Sequence, residues 1–119
     1  DPRVELRTED IFDTLRAAAP GSYDAIVLDV TDPTDEGPSA ALFSTRFFEL
    51  VLRALADDGV AVLQAGELDP QDLRIARTIR STLAAVFPAV RFAHNFVPSF
   101  HCLWGYALMS RRPIEPAPP

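Results

Sequence analysis

Two carboxylates three residues apart, Asp29 and Asp32, follow an apolar run in the segment YDAIVLDVTDP. Carboxylates on the exit of a strand can converge on one small volume, where they could hold a protonated amine or accept its proton as the amine attacks. The same spacing is also typical of an acidic turn, in which Asp32 precedes Pro33 to start the turn and Asp29 caps the following segment. The residues alone leave both interpretations open.

Four other residues have side chains that could take part in chemistry. Asp10 lies in the phrase RVELRTEDIF, where it could accept a hydrogen bond from a nucleotide base or simply stabilise the start of a helix. His94, His101 and Cys102 could ligate a metal, but their spacing among alternating aromatic residues is typical of a packed hairpin, so we expect no metal site. Cys102 has no cationic neighbour beyond His101, which argues against a nucleophilic thiol.

The elements that must position these residues alternate between strands and helices. Ala25 to Leu28 and Val60 to Gln64 are continuous apolar runs, the pattern of strands that are covered on both faces. Asp57-Asp58-Gly59 predicts a turn, and Asp69-Pro70 predicts the N-cap and first residue of a helix. The remaining predicted elements are a strand at Val4 to Leu6, helices at Glu9 to Ala18 and around Phe47 to Leu55, and strands at Val90 to Val97 and Trp104 to Ser110.

This order of elements predicts an α/β sandwich with a mainly parallel sheet and a C-terminal antiparallel hairpin. Ligands of such sheets bind at the carboxyl ends of the strands. Asp29 and Gln64 both lie at those ends. The apolar strand is therefore expected to act as a scaffold that delivers carboxylates to the ligand edge of the sheet.

Composition narrows the classes of protein. With 119 residues, 48% hydrophobic and 24% charged, the chain has the size and composition of one globular domain. It has no apolar run of the roughly 18 residues that a membrane span needs, and no signal peptide is expected. A single cysteine favours a reducing, cytoplasmic location. The net charge of −6 argues against a nucleic-acid partner and is compatible with a cationic ligand.

Four segments together carry a resemblance to a known family. They are DPRVEL..ED, YDAIVLDVTDP, LF...FFELVLRALADDGVAVLQAGE and VPSF...WGYALMS, and they run in this order from Asp1 to about Pro113. In order and spacing the series resembles the polyamine aminopropyltransferases, the spermidine synthase family. The resemblance implies the class I methyltransferase fold, which is Rossmann-like. It also implies aminopropyl transfer to a polyamine or diamine acceptor from decarboxylated S-adenosylmethionine, which is a co-substrate and not a permanently bound cofactor.

The resemblance also implies roles for individual residues. Asp29 matches the proton acceptor beside the attacking amine, and Asp32 matches the carboxylate that holds the amino group of the acceptor. Asp10 matches an acidic residue at the adenine of the donor, and Gln64 is similar to a strand-end residue that lines the amine pocket. No metal is implied.

Two positions depart from the pattern of ordinary spermidine synthases. Many of them have Tyr in a PTYPSG segment, where this chain has Phe100 after Val-Pro-Ser. Phe100 lacks the hydroxyl that would bond the acceptor amine, so the acceptor is left open. Ile11 replaces a usually small residue after the acid at the adenine site. The form VPSF...WGY is more similar to the thermospermine synthase branch and to related bacterial synthase-like proteins.

A further expectation concerns the extent of the chain. The resemblance implies a glycine-rich donor loop, further strands and an N-terminal β-domain, which have no counterpart in these residues. We therefore expect residues 1–112 to be the C-terminal part of a catalytic domain that is inactive alone, followed by a proline-rich tail at 113–119. The full-length protein is expected to be a homodimer.

Two alternatives from other functional classes stay open. One is a methyltransferase-like enzyme that uses S-adenosylmethionine itself, although paired carboxylates suit a cationic amine better than most methyl acceptors. The other is a non-catalytic relative whose acidic loop binds a polyamine or another subunit. Substitution of Asp29 should be harmless in the non-catalytic protein and damaging in the enzyme.

Overall fold

A computed structural model describes residues 1–31 and 38–115, in which three helices and a short 3₁₀ helix accompany a sheet of four strands. The elements in chain order are α1 (Ile11–Ala17), β1 (Tyr23–Leu28), the 3₁₀ helix (Pro38–Phe43), α2 (Thr45–Ala54), β2 (Leu55–Glu67), α3 (Arg74–Ala84), β3 (Ala89–Val97) and β4 (Cys102–Ser110). No helix in these two ranges is long and apolar enough to cross a membrane.

The strands of the described sheet lie in the order β1-β2-β4-β3. β1 and β2 are parallel, whereas β4 runs antiparallel to both of its neighbours. The predicted α/β fold and the C-terminal antiparallel hairpin are therefore both present, and the described sheet is mixed. Because β1 and β2 are parallel, their carboxyl ends meet at one edge, with Leu28 paired to Leu63.

The hairpin turn lies between Val97 and Cys102, which form the last pair of the β3–β4 ladder. The backbone N–H of Phe100 donates to the carbonyl of Val97 at 3.0 Å, and His101 has a left-handed φ of 54°. A tight turn of this kind needs one residue with positive φ, which most side chains adopt only at a cost. The turn places Phe100 at the tip of the hairpin, before the start of β4.

The hydrophobic core lies between the helices and one face of the sheet. Phe47, Phe48 and Val51 of α2 are fully buried there, against Leu63 of β2 and Met109 of β4. Ser44 caps this helix, since its hydroxyl accepts a hydrogen bond from the backbone N–H of Phe47 at 3.2 Å. The other core residues are Leu15, Leu28, Ala54, Leu55, Ala61, Ala65, Ile79, Leu83, Phe87 and Ala107.

The opposite face of the sheet exposes apolar side chains. Val27 of β1 is 73% exposed, and Tyr23 and Val60 are 39% and 38% exposed. These residues alternate with the buried residues of the same strands, as the period of two requires. An apolar sheet face that remains in water is unusual for a folded domain.

Arg53 of α2 fixes the end of α1. Its Nη2 donates to the backbone carbonyls of Leu15, Arg16 and Ala18 at 3.1, 2.9 and 2.8 Å. The last carbonyls of a helix have no partner within the helix, so this guanidinium takes the place of the missing donors. The contact joins α1 to α2, which contributes Phe47, Phe48, Val51 and Ala54 to the core.

The predicted strand at Val4 to Leu6 is absent. This segment is not part of the described sheet, and Val4 and Leu6 are 71% and 88% exposed. A strand needs hydrogen bonds from a neighbour to offset the entropy lost when its backbone is ordered. Within residues 1–31 and 38–115 no strand pairs with this segment, which instead makes local contacts such as the ion pair between Arg3 and Asp1 at 2.6 Å.

Two predicted boundaries were also wrong. Asp57-Asp58-Gly59 lies inside β2, where the ladder passes directly from the pair Tyr23–Leu55 to the pair Ala25–Val60, so the residues between Leu55 and Val60 bulge out of the pairing. A Cβ atom at Gly59 would lie 2.8 Å from Leu55 Cδ1 and 3.0 Å from the carbonyl oxygen of Asp24, so a larger residue at this bulge would require its neighbours to shift.

The second boundary concerns α3, which begins at Arg74 and not after Asp69-Pro70. Asp69 forms a separate turn, in which its carboxylate accepts from the backbone N–H of Gln71 at 2.8 Å. Asp72 accepts from the backbone N–H of Arg74 at 3.1 Å and also pairs with its guanidinium. These hydrogen bonds lower the pKa of Asp72 to about 2. The carboxylate that satisfies a donor in the first turn of α3 is therefore that of Asp72.

Candidate active site

A cavity of about 500 Å³ opens at the carboxyl ends of β1 and β2. It lies beside the exposed face of the sheet, because Val27 and Val62 of that face form its floor. The residues that line it come from β1, β2, β4 and the hairpin turn: Val27, Leu28, Asp29, Val62, Gln64, Phe100, Trp104 and Tyr106. Three predicted site residues, Asp29, Gln64 and Phe100, therefore meet in one cavity.

Asp29 is the one charged residue among the described residues that line the cavity. It follows the last residue of β1, and its side chain is exposed. Leu28, the neighbouring strand residue, is only 2% exposed and anchors the strand in the core. A carboxylate beside apolar walls attracts a cation more strongly than it would in open water.

Asp32, the predicted partner of Asp29, lies outside the described residues. Its placement relative to the cavity therefore stays a prediction.

Aromatic side chains form one wall of the cavity. The rings of Phe100 and Trp104 are tilted by 52° with centroids 4.9 Å apart, and Tyr106 lies two residues further along β4. Tyr106 is the residue of β4 that pairs with Gln64 of β2, so the antiparallel register brings this wall opposite the strand end. The sequence indicated these aromatic residues only as packing within a hairpin. The alternation of Trp104 and Tyr106 indicates that both side chains lie on one face of a strand. Which cavity they line follows only from the pairing of β4 with β2.

Gln64 contacts backbone on both sides of its amide. Its Nε2 donates to the carbonyl of Val30 at 2.6 Å, and its Oε1 accepts from the backbone N–H of Gly66 at 3.1 Å. The first contact reaches the chain just beyond Asp29, and the second lies at a break in the β2–β4 ladder. Gln64 thus links the exits of two neighbouring strands.

Comparison with known proteins assigns the chain to a family. The sequence model of the spermine/spermidine synthase domain matches residues 1–116. The chain belongs to the spermine/spermidine synthase family. The resemblance in its motifs is thereby confirmed.

Several curated relatives have sequences similar to this chain. The polyamine aminopropyltransferase of Synechococcus sp. (strain JA-2-3B'a(2-13)) is 37% identical over 122 residues, which cover 99% of this chain and 38% of the relative. The polyamine aminopropyltransferase of Mycobacterium tuberculosis (strain ATCC 25618 / H37Rv) is 40% identical over 123 residues, which cover 99% of this chain and 22% of the relative. The chain thus spans less than half the length of these relatives.

Solved structures of the family have the same fold. A spermidine synthase in complex with the transition state analogue AdoDATO superimposes with a TM-score of 0.79 at 29% identity, over 94% of this chain and 38% of that structure. Spermidine synthase from Thermotoga maritima gives a TM-score of 0.76 at 29% identity, over 94% of this chain and 36% of that structure. The predicted methyltransferase-like fold of this family is confirmed for the part that the chain covers.

Asp10, the residue predicted at the adenine of the donor in this family, is not in the cavity of Asp29. It caps α1, where its Oδ1 accepts from the backbone N–H of Phe12 at 2.7 Å. It also lines a separate cavity of about 590 Å³, together with Asp13, Arg16 and Ser44 among others. The helix-start interpretation of Asp10 therefore describes its geometry, and its role toward a nucleotide stays a prediction.

His94, His101 and Cys102 do not belong to a metal-binding group among the described residues. The described residues contain no group of three or more His, Cys, Asp or Glu side chains that could hold a metal ion. Cys102 is a free thiol at the start of β4. Its burial, together with the negative charge of Glu67, raises the pKa of the Cys102 thiol, so at neutral pH it is the unreactive thiol form that dominates.

Proposed function

We propose that this chain supplies the amine-binding part of an enzyme that transfers an aminopropyl group from decarboxylated S-adenosylmethionine to a diamine or polyamine. The observation that carries the proposal is the convergence of Asp29, Gln64 and Phe100 on one cavity, in which Asp29 is the one charged residue among the described lining residues. Membership of the spermine/spermidine synthase family supports it, as do the names of the relatives. The complex of a related spermidine synthase with a transition state analogue supports the choice of donor.

The cavity has the chemistry that a cationic amine requires. Amines of this class are protonated at neutral pH, and Asp29 offers them a carboxylate at the end of β1. The faces of Phe100, Trp104 and Tyr106 attract cations through their π-electron density. The apolar floor formed by Val27 and Val62 suits the methylene chain between two amino groups.

Asp29 is proposed to be the proton acceptor. A protonated amine has no lone pair, so it must release a proton before it can attack. The free amine then forms a C–N bond to the donor carbon beside the sulfonium, while the C–S bond breaks and its electron pair leaves with sulfur. The product thioether, methylthioadenosine, is neutral and needs no acid. One positioned base and groups that orient two cations are therefore most of what the reaction demands.

Two further carboxylates are proposed to bind the substrates. Asp32 is assigned to the amino group of the acceptor, because it lies three residues after Asp29 in the segment that leaves β1. Asp10 is assigned to the adenine of the donor. Its contact with the N–H of Phe12 uses one lone pair, and a carboxylate has acceptor capacity for a second partner.

The chain is further proposed to act within a larger catalytic domain, of which residues 1–112 form the C-terminal part and 113–119 a proline-rich tail. The exposed apolar face of the sheet, with Tyr23, Val27 and Val60, supports this proposal, because such a face is normally covered in a folded domain. The greater length of the relatives supports it as well. A homodimer of the complete protein is proposed from the family resemblance.

An assay of the complete gene product that contains this chain tests the function. Decarboxylated S-adenosylmethionine is supplied with putrescine, with spermidine or without an acceptor, and methylthioadenosine is quantified by mass spectrometry. Release that depends on the acceptor is expected, and the more reactive amine identifies the substrate. S-adenosylmethionine in place of the donor is the control. Methyl transfer from it, with no methylthioadenosine from the decarboxylated donor, would instead establish the methyltransferase alternative.

A further inference from the structure

The side-chain amide of Gln64 is engaged by the protein backbone at both of its polar ends. Nε2 lies 2.6 Å from the carbonyl oxygen of Val30, which accepts its hydrogen bond. Oε1 accepts the hydrogen bond of the Gly66 N–H at 3.1 Å. The first contact joins β2 to the segment that follows Asp29, and the second lies within β2 itself.

The contact with Gly66 occurs at an irregularity of the sheet. Gln64 pairs with Tyr106, but the next pair is Gly66 with Gly105, so the β2 strand has one extra residue at this point. Gly66 has a left-handed φ of 79°, a conformation that favours glycine. The oxygen of Gln64 supplies an acceptor for the Gly66 N–H at this bulge. The bulge in turn sets where Glu67 meets Trp104, a residue of the aromatic wall.

The contact with Val30 joins β2 to the segment that follows β1. Val30 directly follows Asp29, so its carbonyl group is one peptide away from the proposed proton acceptor. Asp29 itself is exposed and lies beyond the last residue of β1, where the strand ladder no longer holds the backbone. A hydrogen bond to the Val30 carbonyl restrains the peptide between Val30 and Thr31, and so limits how far the backbone at Asp29 can turn and redirect its carboxylate.

We propose that Gln64 is a positioning residue, which ties the chain beyond Asp29 to the bulge beneath the aromatic wall. This proposal rests on the proposed function and gives Gln64 a role other than direct amine binding. Its amide fixes the distance between the base on β1 and the aromatic groups on β4. A misplacement of about 1 Å in such a site can cost about 100-fold in rate.

The variant Gln64→Glu separates the two roles. Glu has nearly the same shape and keeps an oxygen for the Gly66 N–H, but its carboxylate cannot donate to the Val30 carbonyl. If Gln64 is a positioning residue, kcat falls roughly 10- to 100-fold, whatever the added charge does to KM for the amine. If Gln64 binds the amine directly, an added negative charge lowers KM for the cation and leaves kcat near that of the wild type.

The pH profile gives a second signature. A protonated Glu side chain is again a donor, so the deficit of Gln64→Glu relative to the wild type should narrow as the pH is lowered. Gln71→Glu is the matched control, because Gln71 is exposed in the turn before α3 and undergoes the same change of charge. Its kinetics should equal those of the wild type at every pH.

Hydrogen exchange of the Gly66 amide tests the contact without relying on activity. In Gln64→Met, which has no polar atom to accept the hydrogen bond, this amide should exchange at least about tenfold faster, whereas Gln64→Glu should keep its protection. The experiment uses the complete gene product with putrescine and spermidine as acceptors. Unchanged exchange in Gln64→Met, or a lowered KM with retained kcat in Gln64→Glu, would overturn the proposal. Absence of aminopropyl transfer by the wild type would refute the proposed function, while the exchange result would still decide whether Gln64 holds the bulge.

Discussion

Replacement of Asp29 by Asn tests the central assignment of the site. Asn has almost the same size as Asp and can still contact an amine, but it cannot accept a proton at neutral pH. Asp29 is exposed and lies outside the core that Leu28 enters, so the fold should survive the change. The free energy of unfolding should change by no more than about 0.5 kcal/mol, as for other surface substitutions.

The expected loss of turnover follows from the role of the residue. A positioned general base contributes on the order of 10²–10⁴ in rate. This range corresponds to about 3–5.5 kcal/mol of activation free energy, since each factor of ten is about 1.4 kcal/mol. The cavity contains no second charged residue among the described lining residues that could replace the base. The measurement is kcat for methylthioadenosine release with saturating donor and acceptor, in the complete gene product.

Asp24→Asn is the matched control for this variant. Asp24 is an exposed carboxylate on the same strand, but it lies near the opposite end and does not line the cavity. Its turnover should equal that of the wild type. If Asp29→Asn kept more than half of wild-type turnover with an unchanged melting temperature, Asp29 would not be the proton acceptor. A similar loss in both variants would point to a general effect of surface charge.

Three further predictions concern stability, acceptor choice and thiol chemistry. Arg53→Leu removes the three hydrogen bonds that end α1 and should lower the free energy of unfolding by about 1–3 kcal/mol, measured by urea denaturation; no change would mean that water replaces the guanidinium at no cost. Phe100→Tyr adds a hydroxyl at the mouth of the cavity and should lower KM for putrescine up to about tenfold, whereas an unchanged KM would show that position 100 does not contact the amine. Because burial raises the pKa of Cys102, the thiolate fraction at pH 8 is smaller in the folded than in the unfolded protein. Iodoacetamide should therefore label the Cys102 peptide more slowly without urea than with urea, and equal rates would contradict the raised pKa.

Strands that contain a continuous apolar run could be predicted from the local sequence. The apolar run Ala25 to Leu28 lies within β1, and Val60 to Gln64 lies within β2, as predicted. Such runs also predict strands covered on both faces, whereas among the described residues one face is exposed, with Val27 73% accessible. Val4 to Leu6 has the same local character but forms no strand, since pairing depends on a neighbour that a three-residue pattern cannot reveal. Asp57-Asp58-Gly59 has the composition of a turn but lies in a bulge inside β2, because the pairing with β1 resumes at Val60.

In the candidate site, too, some residues could be predicted from the local sequence, whereas others depend on pairing between distant segments. Asp29 and Gln64 could be placed together because parallel strands end at one edge, a rule that needs no knowledge of register. Trp104 and Tyr106 could not be placed there, because their contact with the cavity follows from the antiparallel pairing of Tyr106 with Gln64, residues 42 positions apart in sequence. Register in such a ladder is fixed by the whole hydrophobic pattern and by the hairpin turn, and a shift of one residue would direct both aromatic side chains to the core.

The bulge at Gly66 explains why this register matters for chemistry. Without an extra residue in β2, the alternation that directs Gln64 toward the cavity would continue unbroken, and no backbone N–H would be turned toward its amide oxygen. With the bulge, both polar ends of the amide contact backbone, and the carboxylate of Asp29 is left as the group with charge and freedom to meet the amine. The bulge at Gly66 thus holds the amide of Gln64 against the backbone, while Asp29 is the group proposed to accept the proton.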